Sequence, residues 1–180
     1  MMSGRKLVLV GMPGSGKSTL GRRVARLLQC SFFDLDHEIE SKEGRKIPEI
    51  FSTGGEDYFR EVETKVLSEL LGRTDSFVLS TGGGAPCFND NMSLINDQAV
   101  SIYLEVPMSA LLARLVGGQV SKRPLFAGLT VEQINQKLQQ MHALRSPFYE
   151  EAKIKLSGQD ISAEQLVSEW LGFLKIESKR

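Results

Sequence analysis

Short apolar runs alternate along the chain with longer stretches in which apolar residues recur every three or four positions. Unbroken apolar runs of this length are typical of strands buried within a parallel sheet. They predict five strands, at residues 6–10, 31–34, 77–79, 100–104 and 153–156. The recurrence of apolar residues every three or four positions predicts helices at residues 17–29, 36–43, 47–51, 57–71, 89–95, 107–115, 130–151 and 162–176. The alternation indicates an α/β fold with a doubly wound parallel sheet.

Several residues mark where the predicted helices begin and end. Thr130 and Ser162 are suited to be N-caps, and Gly44 follows residues 36–43 as a helix-ending glycine. Pro147 predicts a break near the end of the stretch 130–151. The sequence contains no internal repeat, low-complexity segment or linker, so we expect one domain over residues 1–180.

The composition is that of an ordinary globular protein, with 41% hydrophobic and 24% charged residues. Lys and Arg together number 22, as do Asp and Glu, which gives no general electrostatic reason to expect nucleic acid or a membrane as partner. Cys30 and Cys87 are far apart in the sequence, which favours two reduced thiols. The apolar run at residues 7–10 is too short for a signal peptide or a membrane span, so we expect a cytoplasmic protein.

A glycine-rich segment, Gly-Met-Pro-Gly-Ser-Gly-Lys-Ser at residues 11–18, directly follows the first predicted strand. It matches the P-loop pattern G-x-x-x-x-G-K-[ST] at every fixed position. Glycines allow backbone N–H groups to face a triphosphate, Lys17 would reach its β- and γ-phosphates, and Ser18 would bind Mg²⁺. The sequence therefore predicts binding of a nucleoside triphosphate with Mg²⁺. The residues expected at the phosphates are Gly14, Ser15, Gly16, Lys17, Ser18 and Thr19.

Two carboxylates, Asp34 and Asp36, close the second predicted strand. Like charges so close together need cations or hydrogen-bond donors opposite them, which Mg²⁺ and a substrate hydroxyl would supply. Asp34 is expected to hold Mg²⁺ through water, and Asp36 to orient an attacking hydroxyl and accept its proton. The alternative is that Asp36 only caps the next helix and Asp34 is a loop residue.

Two arginines and a glycine triplet are candidates for binding an acceptor. Arg60 is either a bidentate clamp for a substrate carboxylate or part of a surface ion pair with its acidic neighbours. Arg145 is either a second clamp or a tether for the helix end. The triplet at residues 82–84, with Gly82 and Gly83 foremost, offers backbone N–H groups to a small substrate, unless it is only a flexible connection.

Two further arginines are candidates near the polar segment 117–128: Arg123 lies within it, and Arg114 lies at its foot. Arg123 is expected to contact the transferring phosphate from a lid that closes over ATP, the alternative being a solvated loop. Arg114 either contacts the nucleotide base or covers its own helix.

Six segments in this order resemble the shikimate kinase family, one of the nucleoside-monophosphate-kinase-like P-loop families. The resemblance covers the chain from Leu7 to about Ile176. The P-loop is shared by many nucleoside triphosphatases, whereas the other five segments are far more selective. The segments are residues 11–18, Phe-Asp-Leu-Asp at 33–36, Phe-Arg-Glu-Val-Glu at 59–63, Ser-Thr-Gly-Gly-Gly at 80–84, Lys-Arg-Pro-Leu at 122–125 and Arg-Ser-Pro-Phe-Tyr-Glu-Glu-Ala at 145–152.

This resemblance implies a three-layer fold around a five-stranded parallel sheet of order 2-3-1-4-5. It also implies a substrate-binding subregion at about residues 34–61 and a lid at about 114–128. The implied reaction is the ATP-dependent phosphorylation of the 3-hydroxyl of shikimate, with Mg²⁺, in aromatic amino-acid biosynthesis. The expected partners are shikimate and ATP, and we expect a monomer because no apolar surface helix is left over.

The resemblance also implies a role for each candidate residue. The implied roles are ATP binding by Lys17 and residues 14–19, Mg²⁺ binding by Ser18 and Asp34, hydroxyl binding and proton acceptance by Asp36, the carboxylate clamp by Arg60 and Arg145, a backbone donor at Gly83, and ATP contact by the lid residue Arg123. The third strand ends in Ser80 rather than in an aspartate, and this hydroxyl could order a water of Mg²⁺.

Two other functions stay open at this point. A related kinase for gluconate or a nucleotide would share the P-loop, but the aspartate pair would repel a second phosphate and two arginines suit a carboxylate. A P-loop binding module without transfer activity is the other alternative, although Lys17, Ser18, Asp34 and Asp36 are all in place.

Overall fold

Five parallel strands form the centre of the protein. The computed structural model describes residues 4–117 and 124–179. The sheet order is β2-β3-β1-β4-β5, so the predicted fold class and strand order are confirmed. The strands are β1 (Lys6–Val10), β2 (Ser31–Asp34), β3 (Phe77–Ser80), β4 (Val100–Glu105) and β5 (Ile154–Ser157).

Helices cover both faces of this sheet. They are α1 (Lys17–Leu28), α2 (Leu35–Glu43), α3 (Ile47–Leu71), α4 (Asn91–Gln98), α5 (Met108–Gly117), α6 (Val131–Tyr149) and α7 (Ala163–Glu177), with 3₁₀ turns at Ala85–Cys87 and Pro124–Phe126. Thr130 forms the predicted N-cap of α6 in a capping box with Gln133, and Ser162 caps α7. Within the described ranges, no helix has the combination of length and apolar character that a membrane span requires.

Most predicted helix limits lie within two residues of the observed ones, and the structure differs from the prediction for a specific physical reason in three places. Helix α3 contains the predicted helices 47–51 and 57–71 as two helical segments that meet in a kink at Gly55, where φ is 77° and the backbone is not helical. The predicted division is therefore confirmed, and both segments extend further towards the kink. Helix α6 continues through Pro147 and ends two residues later at Tyr149, so the one intrahelical hydrogen bond that the proline removes does not break the helix before it. Helix α4 begins at Asn91 rather than at residue 89, since the two residues before it have left-handed backbone conformations.

The central strand β1 is buried on both faces, which explains its continuous apolar sequence. Val8 and Val10 pack with α3, α4 and α6 on one face of the sheet, in the larger core cluster. Leu7 and Leu9 pack on the other face with α1 and α7, where Trp170 is fully buried. The carboxyl ends of β1, β2 and β3 lie side by side and carry the candidate residues at one edge of the sheet.

Candidate active site

A cleft of about 490 Å³ opens at the carboxyl ends of the three neighbouring strands. Its lining brings together the P-loop, Asp34, Asp36, Arg60, residues 82–84 and Arg145, as the sequence predicts. A second cavity, of about 560 Å³, adjoins the other side of the P-loop and is lined by Arg114 and the loop after β5. The P-loop therefore separates two spaces, of which only the first contains the paired aspartates and the two candidate clamp arginines.

The P-loop adopts a conformation that requires its glycines. Gly14 and Gly16 have φ angles of 83° and 91°, a region that residues with side chains rarely occupy. Helix α1 begins directly after Gly16, so the positive end of its dipole faces the cleft. Backbone donors and the helix dipole thus act on the same space, which suits the binding of phosphate groups.

The ammonium group of Lys17 is hydrogen-bonded to the main chain of the P-loop itself. It donates hydrogen bonds to the carbonyl oxygens of Gly11 at 2.8 Å and Met12 at 2.9 Å, and it lies 3.4 Å from the hydroxyl of Ser15. The residue is only 7% exposed. The positive charge is therefore placed beside the P-loop in the protein alone, at the edge of the cleft.

Three oxygen-bearing side chains meet at the start of α1. The hydroxyl of Ser18 donates to Oδ2 of Asp34 at 2.6 Å and lies 3.0 Å from the hydroxyl of Ser80. Mg²⁺ is bound in proteins by few carboxylate and hydroxyl oxygens, with waters and substrate phosphates completing its octahedron. This donor set beside the P-loop fits Mg²⁺, which Ser18 and Asp34 would hold, with Ser80 as a further hydroxyl beside Ser18.

Asp36 projects into the cleft from the first turn of α2. The N-cap of that helix is Asp34, so the alternative that Asp36 serves as the cap is wrong. A Cβ atom on Gly82 would lie 3.0 Å from Oδ1 of Asp36, so the carboxylate approaches the backbone of the glycine triplet closely. Burial among the cleft walls and the charge of Asp34 raise the pKa of Asp36 to about 6, against the opposing effect of Lys17.

Arg60 forms a buried ion pair on the opposite wall. Its Nη1 donates to Oε2 of Glu63 at 2.7 Å, and the two side chains are 13% and 2% exposed. A weaker contact of 3.2 Å joins Nη2 to the exposed Glu56. Burial raises the pKa of Glu63, and the charge of Arg60 opposes this shift. The ion pair that was the alternative to a clamp is thus present but buried, and the arginine lies in the lining of the cleft.

Glu63 is a site residue that the sequence analysis missed. Its spacing of three from Arg60 on one helix was the available signal, because residues so spaced lie on the same helix face. Charged residues are usually exposed, whereas the side chain of Glu63 is buried.

Arg145 reaches the glycine triplet from α6. A Cβ atom on Gly83 would lie 3.1 Å from Nη1 of Arg145 and 2.9 Å from Cδ of Pro13. One turn later, the buried Tyr149 donates its hydroxyl to the carbonyl oxygen of Gly83. The structure disfavours the alternative that Arg145 only tethers the helix end. Helix α6 continues four residues beyond Arg145, and Tyr149 makes the contact that anchors this end. The sequence analysis also missed Tyr149.

Arg114 connects the P-loop to the second cavity. Its Nη1 lies 3.3 Å from the carbonyl oxygens of both Gly14 and Ser15, and its Nη2 donates to the carbonyl oxygen of Gln159 in the loop after β5. The structure thus favours the nucleotide-side interpretation over simple coverage of the helix. Arg123, the predicted lid contact to ATP, lies outside the described residues.

Comparisons with known proteins agree with this arrangement. The profile of the family described as shikimate kinase matches residues 13–175. The shikimate kinase of Nitrobacter winogradskyi is 39% identical over 173 residues, which cover 96% of this chain and 78% of that protein.

Two solved structures show the same fold. The shikimate kinase from Bacteroides thetaiotaomicron superposes with a TM-score of 0.87 at 33% identity, covering 95% of this chain and 98% of that one. The shikimate kinase from Acinetobacter baumannii in complex with shikimate gives a TM-score of 0.83 at 37% identity, covering 98% and 96%. The family match and these relatives together establish that the chain belongs to the shikimate kinase family.

Proposed function

We propose that the protein transfers the γ-phosphoryl group of ATP to the 3-hydroxyl of shikimate, a step towards chorismate and the aromatic amino acids. The observation that carries this proposal is the single cleft in which a P-loop faces both a carboxylate pair and two arginines. In the transfer, the hydroxyl oxygen bonds to the γ-phosphorus, the bond from that phosphorus to the β–γ bridging oxygen breaks, and ADP leaves.

ATP is the co-substrate, and its triphosphate would lie along residues 14–19. Lys17 is among the residues that line the cleft, and its ammonium group would neutralise charge at the phosphates. The second cavity, beside Arg114, would take the nucleoside end of ATP. Arg123 is proposed as the lid contact on the strength of its sequence motif.

Shikimate would occupy the first cavity with its carboxylate towards Arg60 and Arg145. Asp36 then holds the ring hydroxyls and accepts the proton of the 3-hydroxyl, because a carboxyl group with a pKa of about 6 is mostly ionised at neutral pH and still basic enough to help. The backbone N–H groups of Gly82 and Gly83 are the proposed neutral donors. Asp36 and Glu63 add negative charge to this side of the cleft, which disfavours an acceptor that carries a phosphate.

Mg²⁺ is proposed as the cofactor, held by Ser18 and, through water, by Asp34. When bound, the ion supplies neutralisation of phosphate charge. A single domain with a substrate-binding subregion at about 34–61 and a lid at about 114–128 remains our prediction, as do the monomeric state and the cytoplasmic location. The last is supported by Cys30 and Cys87, which are free thiols.

An acceptor panel tests the proposal. The purified protein is incubated with Mg²⁺-ATP and shikimate, quinate, gluconate or nucleoside monophosphates, and ADP release is followed. We expect release with shikimate and its near loss in Asp36→Asn. Release with gluconate or a nucleotide alone would replace the acceptor but keep the P-loop assignment. ATP binding without release for any acceptor would support a binding module instead.

A further inference from the structure

The guanidinium group of Arg60 is enclosed by one short loop. Its Cζ lies 3.9 Å from the centroid of the Phe88 ring, the closest arginine–aromatic contact in the described part of the chain. A Cβ atom on Gly84 would lie 3.0 Å from both Nη1 and Nη2 of Arg60. Gly84 and Phe88 flank the 3₁₀ turn Ala85–Cys87, so a single turn provides both contacts. We call residues 84–89 the arginine cradle.

The arginine cradle is fixed to the helix that carries Arg60. The side-chain amide of Asn89 donates to the main-chain carbonyl of Arg60 at 3.2 Å and to the hydroxyl of Thr64 at 3.0 Å. Asn89 has a φ of 49°, a left-handed conformation that residues other than glycine rarely adopt and that such contacts help to maintain. The ring of Phe88 is therefore tied to the backbone of Arg60 as well as to its side chain.

The cradle is also fixed from the inside of the protein. Asn91 is fully buried and donates from its side chain to the carbonyl oxygen of Ala85 at 2.9 Å. The N–H of Cys87 closes the turn on the carbonyl oxygen of Gly84, again at 2.9 Å. A loop held at both ends in this way limits the positions open to the ring of Phe88.

Phe88 differs from the two carboxylate partners of Arg60 in the type of contact that it makes, and its ring lies closer to the guanidinium than that of Phe59, whose centroid is 5.1 Å from Cζ. Glu63 and Glu56 accept hydrogen bonds and offset the positive charge. The face of a phenyl ring attracts the cation through its quadrupole but accepts none of the strong hydrogen bonds that a carboxylate would take. A guanidinium held partly by a ring keeps N–H groups and positive charge for a substrate, and its orientation is set in advance.

We propose that Phe88 is a positioning residue that orients Arg60 for the carboxylate of the acceptor. This inference rests on the proposed function, in which Arg60 clamps the carboxylate of shikimate. Phe88 acts only through Arg60, so it sets the affinity for the acceptor and has no part in phosphoryl transfer.

The test measures steady-state kinetics of Phe88→Leu, which keeps an apolar side chain but removes the ring. We expect the KM for shikimate to rise about fivefold to tenfold, the size of a partly desolvated cation–π contact, while kcat and the KM for ATP stay within about twofold. Phe88→Tyr, which keeps the ring face, should restore the KM for shikimate. An unchanged KM in Phe88→Leu, or no rescue by tyrosine, would overturn the inference.

A double-mutant cycle separates positioning from general loss of structure. In the Arg60→Ala background, Phe88→Leu should leave the KM for shikimate where Arg60→Ala alone puts it, because Phe88 has no other route to the substrate. Equal effects of Phe88→Leu in the two backgrounds would show that the ring acts independently of Arg60 and would overturn the inference. Failure of the proposed function is recognisable by itself, as a wild-type protein that releases no ADP with shikimate.

Discussion

The two sides of the cleft are built in different ways. The phosphate side is one contiguous segment, residues 11–19, which acts mostly through backbone N–H groups and a helix end. The acceptor side is assembled from β2, α2, α3, α6 and the glycine triplet, and it acts mostly through side chains of opposite charge. Substitutions on the phosphate side should therefore affect turnover with any acceptor, whereas those on the acceptor side should affect the choice and affinity of the acceptor.

The largest effect is expected for Lys17. It is the principal side-chain cation on the phosphate side, which otherwise acts mostly through backbone N–H groups. Lys17→Ala should lower kcat by about a thousandfold or more, because charge on the transferring phosphoryl group is no longer neutralised. ADP release with saturating shikimate measures the loss. Lys42→Ala removes an exposed lysine that pairs with Glu69 and should leave turnover unchanged. Turnover near the wild-type level in Lys17→Ala would contradict the P-loop assignment.

Asp36→Asn is expected to have the next largest effect and to leave the phosphate side intact. The kcat should fall by about a hundredfold, as for loss of a general base, while ATP binds as before. In the wild type, kcat/KM for shikimate should rise with pH through about 6, where the carboxyl group ionises. In the variant, kcat/KM should no longer decrease at acidic pH. If the decrease is retained, it does not arise from Asp36.

The raised pKa of Asp36 also has a consequence for stability. A carboxyl group whose pKa is higher in the folded state binds its proton more tightly there, so its contribution to stability is present below the unfolded value of 3.8 and is lost as pH rises through about 6. Asp36→Asn should therefore raise the Tm at pH 7.5 by about 2–4 °C and change it little at pH 4. Calorimetry at the two pH values measures the difference, and an equal Tm at pH 7.5 would contradict this explanation.

Arg60→Ala distinguishes the two sides of the cleft, because its effect should be confined to the binding of the acceptor. The KM for shikimate should rise about a hundredfold, since the variant loses a charge-assisted contact and leaves Glu63 buried without its partner. The KM for ATP should change little. Arg73→Ala, an exposed arginine paired with Asp75, is the matched control. Unchanged affinity for shikimate in Arg60→Ala would remove the clamp role.

A smaller effect is expected at Tyr149, which reaches the acceptor side through the main chain of Gly83. Tyr149→Phe removes the hydrogen bond to the carbonyl oxygen of Gly83 and should raise the KM for shikimate by about twofold to tenfold. Tyr58→Phe removes an exposed hydroxyl that pairs with Glu43 and should have no effect on this KM. If both variants behave like the wild type, the glycine triplet is held without Tyr149.

The same contrast explains which parts of the molecule could be predicted from the sequence. Strand β1 and the P-loop follow from neighbouring residues, so an apolar run and a fixed glycine spacing sufficed. Tyr149 could not be assigned in this way, because its partner Gly83 lies on another element. Glu63 lies only three residues from its partner Arg60 on α3, but the burial of this pair depends on the packing of the helix and not on neighbouring residues. The start of α4 was wrong for a similar reason, since Asn89 adopts its left-handed backbone while bound to α3.

The position of Trp170 gives the protein a built-in optical probe of its folding. It is the only tryptophan in the sequence, it is fully buried, and it packs with α1 and the strands on the face of the sheet away from the acceptor residues. Its emission responds to the entry of water when the chain unfolds, whereas an acceptor in the cleft touches none of its surroundings. A single fluorescence trace can therefore tell a variant that has lost its fold from one that has lost only its substrate.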